Sequence, residues 1–190
     1  EWVVVDRSGH TRQWGVVCLG YPEARRAFVE RWTGLLDGTD FAALFVCLRS
    51  QSRPAQHPDE FRFNEPVRAD YRARFDGDIL TADFDVQAWR DLLGSYLTAL
   101  LAETKAALQA SGRSLAVGVP RGDVLGPPLG NTTLAWRDWV GRGLGDALVL
   151  AAVVIWALYT VFLRLRPPIS PVSLVAVTFF IGVVALAPLA

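Results

Sequence analysis

Two kinds of hydrophobic pattern alternate along the first part of the chain. Short apolar runs such as LFVCL and LAVGVP have the composition of buried strands. Between them, apolar residues such as Trp89 and Leu93 recur at the spacing of a helix face. Pro22 is typical of a helix start, and Asp83 or Asp85 is a suitable N-cap. This pattern predicts strands near residues 15–18, 43–48, 115–119 and 147–150, and helices near residues 22–36, 84–110 and 133–142.

Alternating buried strands and amphipathic helices are typical of parallel βαβ units. The rhythm is interrupted by a long polar segment, residues 49–81, to which no regular element is assigned. A connection of this length is uncommon in a compact domain unless it has a function. In parallel α/β folds, the loops that follow the strands carry the chemistry, so functional residues are expected here.

The last part of the chain has a different pattern. All acidic residues lie at or before Asp146, and the only later charges are Arg164 and Arg166. Residues 147–163 and residues 167–190 are uncharged and apolar, which predicts two membrane-spanning helices in contact with the lipid bilayer. The two arginines mark the turn between them as cytoplasmic, which would place the first part of the chain outside the cytoplasm.

Composition and charge exclude several classes of function. The formal net charge is zero, and no basic stripe with interleaved aromatic residues indicates nucleic-acid binding. Cys18 and Cys47 lie in apolar runs and are expected to be buried, reduced thiols. There is no CxxC pair, and His10 and His57 lie in polar contexts, so neither a metal site nor a cofactor is predicted.

The first part of the chain resembles bacterial barrel proteins of the glycoside hydrolase-like families. The resemblance is carried by PEARRAFVERWTGLLDGTDFAALFVCLRSQSRP, then RFNEPVR, and then LAVGVPRGDVLGPPLGNTTLAWRDWV, within residues 1–147. It implies an α/β fold related to the (β/α)8 barrel and activity on carbohydrate. Only about four strands are predicted where a complete barrel needs eight, so the expected fold is a partial barrel, about half of one.

The same resemblance implies a set of site residues. Glu65 lies in an Asn-Glu-Pro pattern that many barrel glycosidases use for their acid/base, and Asn64 is then placed to bond a sugar hydroxyl. A second carboxylate is needed for hydrolysis, and Asp123 follows a predicted strand. A solvated loop glutamate and a turn-forming aspartate are the alternatives. Independently of the resemblance, hydrogen-bond donors that suit sugar hydroxyls or a carboxylated sugar follow two strands: Arg49, Ser50, Gln51, Arg53 and Arg121. The donors after the first of these strands depart from the family pattern, in which related strands often end in an acidic residue, and a solvated polar loop is the alternative.

The last part of the chain resembles the start of a repeat in the EamA-like drug/metabolite transporters. The resemblance is carried by GDALVLAAVVIWALYTVFLRLRPPISPVSLVAVTFF. The complete prediction is therefore a partial (β/α)8-type barrel in residues 1–145 and a two-helix transmembrane hairpin in residues 146–190. The leading function is an incomplete carbohydrate-active domain, and the chain is expected to be a chimera or a fragment. The alternatives are a transporter fragment and a membrane-anchored carbohydrate-binding module.

Overall fold

A computed structural model provides the structure of the chain and describes residues 2–11, 16–48, 59–81, 83–119, 124–125 and 132–144. The chain divides into two units, Glu1–Asp146 and Ala147–Ala190, and the whole second unit lies outside the described residues. In chain order, the first unit contains these elements: α1 (Pro22–Gly34), β1 (Ala43–Cys47), α2 (Glu65–Phe75), α3 (Val86–Gln109), β2 (Ser114–Gly118), β3 (Val124–Leu125), β4 (Thr132–Thr133) and α4 (Trp136–Gly141).

The centre of the unit is one parallel βαβ arrangement. β1 and β2 pair in parallel, with Ala43 opposite Ser114 and Cys47 opposite Gly118. The 24-residue helix α3 lies between them in the chain and packs against α1, α2 and β2. Asp85 caps α3, as predicted, because its carboxylate accepts hydrogen bonds from two backbone N–H groups of the first turn.

The hydrophobic core has two clusters, both of which include residues of α3. The first core cluster joins the N-terminal segment and α2 to the first half of α3: Val4, Cys18, Phe63, Val67, Tyr71, Ile79, Trp89, Leu92, Leu93 and Tyr96. The second core cluster joins the rest of α3 to the sheet and α4: Leu36, Leu48, Leu97, Leu101, Leu108, Leu115, Leu134, Trp139 and Leu144. Leu19 packs against both clusters, so the two are continuous.

The prediction of a partial barrel is wrong. The described strands form one two-stranded parallel sheet and one antiparallel pair of two-residue strands, β3 and β4. The strand expected at residues 15–18 contributes an isolated antiparallel bridge between Val3 and Val17. Apolar runs that look like strands in sequence therefore do not all join one parallel sheet. The strand expected at residues 147–150 lies outside the described residues.

The membrane prediction is also corrected. A bilayer crossing requires a continuous apolar helix of about 20 residues. Among the described residues, no helix is long and apolar enough to cross a membrane. The described part of the chain thus contains no two-helix transmembrane hairpin and does not support the membrane location inferred from it. The residues from which that prediction was made, 147–190, lie outside the described part of the chain.

Two local predictions also change. The polar segment contains helix α2, whose buried residues Val67 and Tyr71 are four positions apart and face the first core cluster. Cys47 is exposed instead of buried, whereas Cys18 is buried as expected, and both are free thiols. Side chains alternate across a strand, so Cys47 shares a face of β1 with Phe45, which is 62% exposed.

Candidate functional site

The parallel pairing of β1 and β2 determines where two predicted site segments leave the sheet. Cys47 is opposite Gly118, and the backbone N–H of Leu48 donates to the carbonyl of Gly118 at 2.9 Å. The segments that follow β1 and β2 therefore start at neighbouring points on the carboxyl edge of the sheet. Six predicted site residues belong to these two segments and lie outside the described residues: Arg49, Ser50, Gln51, Arg53, Arg121 and Asp123.

Glu65 is on the surface at the start of α2. Its side chain is 68% exposed, and its Oε2 lies 3.4 Å from Nη1 of Arg68, one helical turn later. The acidic residue in the first turn is favourable for the helix dipole. Glu65 is thus held on a rigid helix and not in a loop.

Asn64 has a structural role that its sequence context did not indicate. Its side chain is buried, its Oδ1 accepts a hydrogen bond from the N–H of Val5 at 3.2 Å, and its Nδ2 donates to the carbonyl of Val3 at 2.9 Å. These two bonds connect the start of α2 to the N-terminal segment. Both ends of the amide group are therefore engaged by backbone.

A buried arginine, Arg62, lies two positions before Asn64. Arg62 is 8% exposed, and its Nη1 donates a hydrogen bond to the hydroxyl of Thr132 in β4. Its backbone has a φ of 84°, which is unusual for a residue with a long side chain. The N–H groups of Arg62 and Phe63 both donate to the carbonyl of Val5, at 2.9 and 3.1 Å, and hold the backbone in this conformation.

A small cavity adjoins the side chain of Arg62. Its volume is about 30 Å³, room for about two water-sized groups. Burial lowers the pKa of Arg62 to about 10, with Cys18 and Asp59 opposing this shift, so the guanidinium is charged at neutral pH. The residues that line the cavity come from the N-terminal segment, α3 and β4: Val17, Cys18, Leu19, Arg62, Leu93, Tyr96, Leu97 and Thr132.

Tyr96 connects this cavity to a carboxylate. Its hydroxyl donates to Oδ2 of Asp70 at 2.6 Å, which is a short, charge-assisted hydrogen bond. Burial, followed by this contact with Asp70, raises the pKa of the Tyr96 phenol. The tyrosine therefore stays neutral and fixes the position of α3 relative to α2.

A second, open depression of about 580 Å³ lies along α3 beside α4. Gly94 is required here, because a Cβ atom at this position would overlap the carbonyl oxygen of Thr133. The polar residues that line the depression are Asp91, Ser95, Thr98, Thr133, Asp138 and Arg142. Asp138 and Arg142 form an ion pair at 3.0 Å, and Gln87 donates to Asp91 at 2.8 Å. These charged groups are thus already paired within the chain.

The sequence did not indicate Arg62. It stands between two aromatic residues in the polar segment, and its hydrogen-bond partner Thr132 is 70 positions away. Within the described part of the chain, no group of three or more His, Cys, Asp or Glu side chains is placed to hold a metal ion. Comparison with protein-family models, curated proteins and solved structures found no match for this chain. The two family resemblances therefore stay predictions from the sequence.

Proposed function

We propose that the unit Glu1–Asp146 is a glycoside hydrolase-like, carbohydrate-active domain that binds a saccharide at the carboxyl edge of β1 and β2. The observation that supports this proposal is the parallel register of the two strands. Because of this register, the chain segment that contains Arg49 begins next to the segment that contains Asp123. Ligands of open parallel sheets bind outside the carboxyl ends of the strands.

The composition of the two segments suits a sugar. The segment after β1 offers donors at Arg49, Ser50, Gln51 and Arg53, and the segment after β2 adds Arg121. Guanidinium and amide groups bond several hydroxyls or a carboxylate in a defined orientation. The composition of the two segments therefore supports saccharide binding.

Hydrolysis requires more than binding. Two carboxyl groups must flank the scissile bond, about 5–9.5 Å apart, one to protonate the leaving group and one to act as nucleophile or base. Glu65 is exposed and accessible on α2, and Asp123 is the second candidate. In this proposal, Glu65 and Asp123 perform these two tasks.

Binding is tested by calorimetry of the full-length chain with a panel of neutral and acidic oligosaccharides. Replacing Arg49 and Arg53 together with alanine should weaken binding by about 100-fold or more, because each lost charge-assisted bond is worth about 1.5–3 kcal/mol. Arg26→Ala is the matched control, since Arg26 is exposed on α1. Equal losses in both variants, or no binding to any member of the panel, would refute the proposal.

Hydrolysis is tested separately with 4-nitrophenyl glycosides. If a glycoside is cleaved, Glu65→Gln and Asp123→Asn should each lower kcat by about 100-fold or more, the range for loss of an acid/base group. Glu60→Gln serves as the control, because Glu60 is also an exposed carboxylate. Full activity of the Glu65→Gln variant would remove Glu65 from the mechanism and leave the binding proposal standing.

A further inference from the structure

We infer that two copies of the chain pair through the outer edge of β1, antiparallel about a two-fold axis at Phe45. The pairing joins the two parallel sheets into one continuous sheet of four strands. This interface goes beyond the proposed saccharide site and does not depend on it. The hydrogen bonds of the interface come from β1, and all residues of β1 and β2 are described.

The outer edge of β1 carries backbone groups that β2 does not use. The carbonyl of Ala42 accepts from the N–H of Ser114 at 3.0 Å, and the N–H of Leu48 donates to the carbonyl of Gly118 at 2.9 Å. In a parallel ladder, every second residue of a strand bonds to the same neighbouring strand. The residues between these direct their N–H and C=O groups to the opposite edge: Ala43, Phe45 and Cys47.

This edge is open and lacks the usual protection. Within the described part of the chain, β1 belongs to a sheet whose only other strand is β2. The three edge residues are all exposed. Natural sheets protect such edges with charged residues, proline or bulges. Residues 41–48, FAALFVCL, contain no charge and no proline, and their register with β2 is continuous. An apolar edge of this kind is a template for pairing with another strand.

The edge is complementary to itself. Phe45 is the middle residue of β1, and its outward N–H and C=O groups can exchange two hydrogen bonds with the same groups of a second Phe45 in an antiparallel pair. Ala43 of each copy then lies opposite Cys47 of the other copy, again as a hydrogen-bonded pair. The two Phe45 rings lie side by side on one face of the joined sheet, as a cross-strand aromatic pair.

The charges at the two ends of the strand also favour a second copy. Asp40 precedes the apolar run, and Arg49 follows it. In the two-fold pair, residue 41 of one copy is opposite residue 49 of the other, so the acidic end of each strand meets the basic end of its partner. Parallel pairing would instead place like charges side by side, which is unfavourable. The complementary charges therefore favour a second copy of the chain in the antiparallel orientation.

The interface is small, because each copy contributes one strand of five residues. It belongs to the class of weak interfaces, which bury less than about 1,200 Å² in total. We therefore expect a dimer in equilibrium with the monomer, populated at high protein concentration.

The first experiment is disulfide crosslinking of the full-length chain. In the proposed pair, the Cα atoms of residue 43 and of Cys47 in the second copy lie about 5.5 Å apart, within reach of a disulfide. The two Cys47 residues are offset by about 14 Å along the strands, which is too far. Mild oxidation should thus link the Ala43→Cys variant into a covalent dimer at least about 10-fold faster than the unmodified chain. Mass spectrometry identifies the expected 43–47 disulfide.

Ala42→Cys is the matched control for crosslinking. Ala42 is also exposed, but its carbonyl bonds to β2 and it lies on the other face of the strand. Its oxidation should resemble that of the unmodified chain.

The second experiment measures self-association of the full-length chain by sedimentation velocity over a concentration series. Phe45→Lys places two like charges side by side in the pair and removes the ring contact, so the dissociation constant of the dimer should rise by about 10-fold or more. Phe75→Lys is the control, because Phe75 is 45% exposed and ends α2, away from the strand. Circular dichroism checks that both variants keep the fold.

Selective 43–47 crosslinking, together with weaker association in Phe45→Lys alone, supports the interface. A chain that stays monomeric over the whole series refutes it. Equal crosslinking of Ala42→Cys and Ala43→Cys shows that another surface brings the copies together, and so does association that Phe45→Lys and Phe75→Lys leave unchanged or weaken equally. The crosslinking variant alters only an exposed alanine, so it decides the question even if Phe45→Lys does not fold.

Discussion

Replacing Asn64 with alanine is expected to lower the free energy of unfolding by about 2–4 kcal/mol, because the change leaves two backbone groups without partners. Asn64 is 3% exposed and bonds the N–H of Val5 and the carbonyl of Val3. An unsatisfied buried polar group costs about 1–3 kcal/mol. Val3 and Val5 are only partly buried, so the sum falls in the lower half of the possible range.

The measurement is urea unfolding of the full-length chain, followed by tryptophan fluorescence. With a typical slope of about 2 kcal/mol per molar urea, the midpoint should fall by about 1–2 M. Asn64→Asp tests the donor alone, since it keeps the acceptor for Val5 but replaces the amide nitrogen that donates to Val3. It is expected to destabilise the chain by about 1–3 kcal/mol.

Glu65→Ala is the matched control, one residue away. Glu65 is 68% exposed and its ion pair with Arg68 lies on the surface, so its loss should change stability by less than about 0.5 kcal/mol. If Asn64 instead served only to bond a sugar hydroxyl, Asn64→Ala would weaken sugar binding and leave the urea midpoint unchanged. A midpoint for Asn64→Ala equal to that of Glu65→Ala would refute the structural role.

Three further predictions follow from individual contacts. Gly94→Ala should cost about 1–3 kcal/mol in urea unfolding, because its Cβ would overlap a carbonyl of β4, whereas Gly141→Ala, which meets no atom within 4 Å, should not destabilise the chain; equal effects would contradict this. Burial raises the pKa of Tyr96 in the folded chain, so Tyr96 keeps a proton there that it loses near pH 10 in the unfolded chain. The free energy of unfolding should therefore fall above that pH, and it should fall less steeply in Tyr96→Phe than in the unmodified chain. The thiol reagent dithiobis(nitrobenzoate) should label Cys47 at once but Cys18 only after unfolding, because Cys18 is buried and burial raises its pKa. Labelling of both thiols at the same rate would contradict the fold around Cys18.

The elements with strong local signals could be predicted from the sequence. The long apolar face and the Asp85 cap identify α3, which spans Val86–Gln109 against a predicted range of 84–110. The apolar runs of β1 and β2 are long enough to identify both strands within one residue, and their parallel pairing follows from the helix between them. These features depend on neighbours in the chain, which the sequence shows directly.

The remaining features depend on contacts between distant residues. α2 has two buried residues, Val67 and Tyr71, too few to stand out in a polar segment, and its position depends on α3 and the first core cluster. The pattern also could not show how many apolar runs join one sheet. The run that contains Val17 pairs with the N-terminal segment instead. The prediction of a partial barrel counts apolar runs as strands of one sheet, but the local pattern does not show which strands pair with each other.

In the candidate site, too, the long-range contacts could not be predicted from the sequence. Residues 62–64 combine a buried charge, a core aromatic residue and a buried amide, and only Asn64 was recognised, for a different role. Phe63 packs in parallel with the ring of Trp89 at 5.3 Å, and Asn64 bonds the segment at Val3 and Val5. These contacts fix the backbone on one side of Arg62, and the carbonyl of Val5 fixes it directly. A strained conformation costs about 1–3 kcal/mol and needs such support. The same contacts therefore stabilise this stretch and orient Arg62 toward its cavity. The sequence motif centred on Asn64 and Glu65 lies close to this cavity, but it does not include Arg62, the residue that faces it.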